Sequence, residues 1–168
     1  MPITSVAGVS EDALSLKVFM DAVLARLVDW FGHYNVPVPS KQYWKVGSPV
    51  IDCEQLVLSV DSMFLGSPGN EITQPVRCNS PRSATFRAFV ARQMPMPDVR
   101  GNEPSGAKQQ EASEIMAVDM WVLLDAVRHL DGWDTVGAFG LGVVGNVQFE
   151  EPQGGYQVIT ATFTIAVP

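Results

Sequence analysis

Two histidines and two cysteines are the whole stock of imidazole bases and thiols in this 168-residue chain. Neither C-x-x-C nor H-x-x-x-H spacing occurs, so no structural zinc site is expected. A Cys53/His33 or Cys78/His129 pair would make a nucleophile and its base only if folding brought the two together. The commoner role of a cysteine is that of a small buried hydrophobe. No G-x-S-x-G elbow and no phosphate-binding P-loop is present. Gly140-Leu-Gly-Val-Val-Gly145 matches G-x-G-x-x-G as a bare pattern. A dinucleotide site needs a strand before that pattern and a helix after it, and here the order is reversed. The glycines read as places where a strand bends or meets a neighbour closely. No catalytic, cofactor-binding or metal-ligating residues are assigned.

The charged residues form three further groups. Asp52 and Glu54 share one parity of an expected strand, which is the pattern of a solvated face. Glu150-Glu151 precede Pro152-Gln-Gly-Gly155 at the expected tip of the last hairpin, either as a solvated turn or as the wall of a lumen. Arg77, Arg82, Arg87 and Arg92 recur every five residues. Arg82 and Arg92 share a strand parity and Arg87 has the other, so they make no single basic stripe. Salt bridges between subunits, made by Arg82, Arg87 and Arg92 to the acidic last third, are the expected use, setting register more than strength.

The elements that must position these residues are legible from periodicity. Ser10 can cap a first helix whose apolar residues (Leu16, Phe19, Met20, Val23, Leu27, Trp30, Phe31) follow helical spacing up to Gly32. Residues 33–49 hold Pro37, Pro39, Gly47 and Pro49 and read as an irregular connector, with Tyr43 and Trp44 as staples or partner contacts. Strands are expected over 50–65 and 82–94, separated by a turn-rich loop at 66–81. In the first of these strands Leu56, Leu58, Val60 and Phe64 share one parity. A second irregular stretch, 95–106, leads into a helix over 108–130. Its apolar face is expected to comprise Ile115, Val118, Met120, Val122, Leu123, Val127 and Leu130.

The last 28 residues alternate most regularly. Ile159, Ala161, Phe163, Ile165 and Val167 take one face of the closing strand, and Val158, Thr160, Thr162, Thr164 and Ala166 take the other. The order predicts one α+β domain over 1–168: an antiparallel sheet of about four long strands with two main helices packed on one face.

Composition limits the function classes. Apolar residues make up 46% and charged residues 17%, which is a globular chain with little charge to keep its surface apart from other protein. The net charge is −7, and residues 107–168 carry eight acids against two bases. That is the wrong sign for tight nucleic-acid binding and the right one for a wall past which a duplex slides. No run reaches the length of a membrane span, so no membrane partner is expected. The N-terminal residues lack the basic stretch and continuous apolar core of a secretion signal. Cys53 and Cys78 are therefore expected as reduced thiols, with a disulfide as the alternative in an extracellular setting.

Ile51-Asp-Cys-Glu-Gln-Leu56, Arg77-Cys-Asn-Ser-Pro-Arg82, Ala117-Val-Asp-Met-Trp-Val-Leu-Leu124 and Glu151-Pro-Gln-Gly-Gly-Tyr156 with its closing strand carry a resemblance over residues 10–168. The chain resembles the tail terminator proteins of long-tailed phages that infect actinobacteria, a group also described as neck or head-to-tail connector proteins. The resemblance implies a structural virion protein and not an enzyme. It implies a ring of six copies that caps the tail tube, meets a head-side connector or stopper protein, and lets DNA pass without specific binding. A stopper or adaptor of the neck is the alternative within that class. A small cysteine-dependent enzyme and a generic interaction domain are the alternatives outside it.

Overall fold

A computed structural model describes residues 11–71, 82–130 and 143–167. Helix α1 (Glu11–His33) is followed by strands β1 (Lys41–Val46), β2 (Gln55–Ser67), β3 (Asn70–Glu71) and β4 (Arg82–Gln93). Helix α2 (Gly106–Arg128) then precedes the hairpin of β5 (Val143–Gln153) and β6 (Tyr156–Val167). The sheet order is β1-β2-β4-β6-β5, with β3 a short return paired to the end of β2. The α+β class with four long strands and two helices on one face is the architecture observed.

Three details of the strands differ from the sequence expectation. The 33–49 segment is not wholly irregular, because Lys41–Val46 pairs parallel to β2. The prolines bound this strand instead of excluding it, and a parallel pair leaves no hairpin signal in the sequence. Residues 50–54 lie outside β2, so Asp52 and Glu54 belong to a loop. The register of β2 against β4 shifts between Val60 and Ser62, leaving Asp61 as an extra residue. That bulge reverses the facing of everything beyond it. Phe64 therefore pairs with Ser83, away from the helices, whereas Met63 and Leu65 pair with Ala84 and Arg82.

The core lies between the helices and one sheet face. Phe19, Met20, Val23, Leu27 and Phe31 of α1 are buried against Leu56, Leu58, Phe86, Val90, Ile159 and Phe163. Phe86 stacks between Phe19 and Phe163, with ring centroids 5.7 and 5.6 Å away. Each such side chain contributes roughly 1.5–3 kcal/mol by leaving water. On α2 the buried residues are Met116, Asp119, Val122, Leu123, Ala126 and Val127. Ile115 and Val118, expected in the core, are exposed instead.

Ser105 caps α2, its hydroxyl accepting from the Lys108 backbone N–H at 3.4 Å. The β5–β6 hairpin closes through Gly154 and Gly155 at φ +57° and +86°. Two successive positive-φ residues are what a two-residue type I′ turn requires. Gly145 sits where the β5–β6 register shifts. A Cβ there would stand 3.0 Å from the Thr162 carbonyl oxygen, so the glycine permits close strand approach.

Candidate functional site

The sheet face away from the helices is the part of the molecule with unassigned polar chemistry. Strand alternation brings Asn146, Gln148 and Glu150 of β5 beside Thr162, Thr160 and Val158 of β6. These side chains form a ladder. Asn146 Nδ2 donates to Gln148 Oε1 at 2.8 Å, and Gln148 Nε2 donates to Glu150 Oε1 at 3.0 Å. Thr85 and Thr164 share a hydroxyl–hydroxyl bond of 3.0 Å across β4 and β6. Beyond them Arg87 is bound to Asp61, its Nη2 donating to Oδ1 at 2.9 Å. One end of this face is apolar: Val57, Phe89, Ala91 and Val158 are buried beneath Tyr43, Ile51 and Tyr156. Glu150 and Glu151 thus lie within β5, before the turn, and Glu150 belongs to the open polar face.

Two of the arginines expected at a subunit interface are held in ion pairs within the chain. Arg92 faces the helices and binds Asp119 of the same chain, with Nε to Oδ2 at 2.7 Å and Nη2 to Oδ1 at 3.0 Å. It also donates to the Pro37 carbonyl at 2.6 Å. Asp119 is 0% exposed and the Arg92 side chain 11%. Burial pushes the Asp119 carboxyl above its ordinary range, against the pull of the Arg92 guanidinium. Arg87 is likewise engaged inside the chain by Asp61. Burying an unpaired charge is costly, so Arg92, whose parity points at the covered face, recruits an acid from its own chain. Arg82 is exposed at the start of β4. Arg77 lies outside the described residues.

Cys53 is not brought into catalytic company. Cys53 is a free, half-buried thiol that donates to Asp52 Oδ1 at 3.2 Å and lies 3.8 Å from Gln55 Oε1. Desolvation and the neighbouring Asp52 carboxylate raise its pKa, opposite to the shift that makes a reactive thiolate. Cys78 and residues 140–142 of the glycine pattern lie outside the described residues. Among the described residues no group of His, Cys, Asp and Glu has the makings of a metal site. Among them, too, no helix is long and apolar enough to cross a membrane.

The two histidines do converge, on a residue that periodicity assigned to the core. Trp30 stacks between His33 and His129, with ring centroids 5.4 and 5.0 Å away. Asp125 accepts from Trp30 Nε1 at 3.0 Å and from the Tyr34 hydroxyl at 2.8 Å, and lies 3.5 Å from His129 Nδ1. The Tyr34 hydrogen bond leads in holding the Asp125 carboxyl below its usual value. With Asp125 fully engaged and, among the described residues, no hydroxyl or thiol nucleophile hydrogen-bonded to either histidine, the cluster works as a clasp between the C-terminal turns of the helices. The Asp125–His129 spacing of one helical turn was its only sequence signal.

A groove of about 850 Å³ runs beside α2, lined in part by Pro37, Arg92, Met94, Met96, Ile115 and Val118. Exposed Trp121 (58%) continues the Ile115 and Val118 side of the helix.

No family model matches the chain, and no curated protein matches it. Among solved structures, the chain is similar to one in the virion of a native gene transfer agent particle, with 16% identity, 98% of each chain covered and a TM-score of 0.30. At that level of similarity the functional reading rests on the residues and geometry of this chain.

Proposed function

We propose that this protein is a structural component of a virion, a tail terminator that acts by assembly and makes or breaks no covalent bond. Six copies form a ring that stops growth of the tail tube. The ring offers a new surface to the head-side connector or stopper protein, and its lumen passes DNA.

The observation that carries the reading is the two-sidedness of the sheet. Helices pack on one face, while the other bears a hydrogen-bonded ladder of Asn146, Gln148 and Glu150 beside Thr160 and Thr162. A sheet with a dry outer layer and a wet inner face suits a wall around a channel. Glu150 and Glu151 would repel phosphates, and uncharged amides and hydroxyls would give a duplex nothing to grip. The resemblance over residues 10–168 supports the same assignment. Irregular segments at 47–54 and 94–105 are available for the tube and connector proteins.

Imaging the purified protein by negative-stain electron microscopy tests the ring, with closed annuli near six copies expected. A stable dimer, or long tubes formed by the protein alone, would overturn it. Cryo-electron microscopy of assembled particles then tests position. A terminator touches the last ring of the tail tube, whereas density confined to the portal side assigns a stopper or adaptor.

A further inference from the structure

The two edges of the sheet are chemically unlike. Among the described residues β1 and β5 are each paired on one side only. β1 is short and carries Lys41 and Lys45, the means by which a strand edge is commonly protected from pairing. β5 spans 11 residues, has no lysine, and carries Glu150 and Glu151. Its Phe149 is 55% exposed. Between its two register shifts and before Pro152, the stretch 146–150 is regular, lacks basic residues and is a template for another strand.

Direction and register decide which strand fits. β1 runs parallel to β2, while β2, β4, β6 and β5 alternate in direction. β1 and β5 therefore run opposite ways at the two ends of one sheet. Placing β5 of one copy beside β1 of another, both in the same orientation, makes an antiparallel pair and keeps all helices on one side. The pairings also trace one row across the sheet: Lys41, Gln55, Ala91, Val158, Glu150. Carried into a second copy, that row sets Glu150 beside a lysine on the open face. Lys41 is held at its edge by Asp52, 3.0 Å away.

We propose that copies of this chain join edge to edge, with the acidic β5 edge of one docking antiparallel on the basic β1 edge of the next. The proposal rests on the ring reading above and supplies its joint. Such a contact is head-to-tail, so repeating it closes a ring when the rotation allows. Five strands from each of six copies, at about 4.8 Å per strand, give a wall roughly 140 Å around and about 45 Å across. The charges select the neighbour and the register, while backbone hydrogen bonds and the flanking apolar surface hold it.

Charge reversal in two separate chains tests the joint. One variant carries Lys41→Glu and Lys45→Glu, the other Glu150→Lys and Glu151→Lys. Each places like charges at every joint and should need at least tenfold more protein than wild type to form rings, read by native mass spectrometry and sedimentation velocity. An equimolar mixture restores opposite charges if copies alternate, and should form rings at wild-type concentrations. Circular dichroism checks that both variants fold, and glutamine replacements at the same positions stand in for one that does not. A wild-type ring with variants that assemble equally well alone, or a mixture that stays dissociated, overturns the joint and leaves the ring. A wild-type chain that is monomeric at every concentration overturns the ring reading itself.

Discussion

Alternate residues of one strand serve two different purposes here. On β6 the odd-numbered positions Ile159, Ala161 and Phe163 are sealed under the helices. Their even-numbered neighbours include Thr160, Thr162 and Thr164, which face the polar side. The covered face holds the fold through close packing, where a lost methylene is felt. The open face contributes little packing at its β5 end and is free to be shaped by what passes or docks there. The difference teaches that stability is assigned to one parity of the segment, which leaves the other for the proposed channel wall.

The largest expected effect comes from putting a charge on the covered face. Phe163→Asp sets an unpaired carboxylate against Phe86 and should abolish cooperative unfolding in a thermal melt. A soluble variant with a sharp transition would mean that the two parities are not so divided. Next is Asp119→Ala, which leaves Arg92 buried without its carboxylate and should cost about 3–5 kcal/mol in urea denaturation. Adding Arg92→Met should recover part of that loss, because the stranded charge goes too.

Smaller effects refine the comparison. Asp125→Asn should lose about 1 kcal/mol at neutral pH, since the carboxylate accepts from both Tyr34 and Trp30. The folded-state pKa of Asp125 is lowered from 3.8, so its stabilisation is full above that value and disappears as pH falls through the folded-state value. Melts of wild type and variant should accordingly converge in strong acid, and a gap that persists there would assign the loss to shape. On the open face Thr160→Val should raise stability by up to about 1 kcal/mol. The Thr160 hydroxyl is buried with no hydrogen-bond partner among the described residues. Thr162→Val, by contrast, should stay within about 0.5 kcal/mol of wild type.

Alternation on β6 was readable from sequence because a period of two sustained over 12 residues fits a strand and no helix. The helical segments were readable for the same reason at their own period. The face of α2 was less so. Apolar Ile115 and Val118 are exposed, and polar Asp119 is buried, because Arg92 reaches it from a strand distant in sequence. Parallel pairing of β1 depends on a neighbour beyond its own segment, and the prolines around it pointed to coil. Glu150 was legible as part of the last hairpin, but its ladder with Gln148 and Asn146 needed the register. The clasp around Trp30 joins residues on two helices, and no local pattern links His33 to His129.

The single unpaired residue at Asp61 makes β2 tolerant of a one-residue deletion at that point. Removing Asp61 would straighten the strand and leave every other β2–β4 partner in place. Phe64 would still pair with Ser83 on the open side, and Met63 and Leu65 with Ala84 and Arg82. Arg87 would lose its acid in the same event. A one-codon deletion at this point would thus cost Arg87 its partner while keeping both faces of the strand.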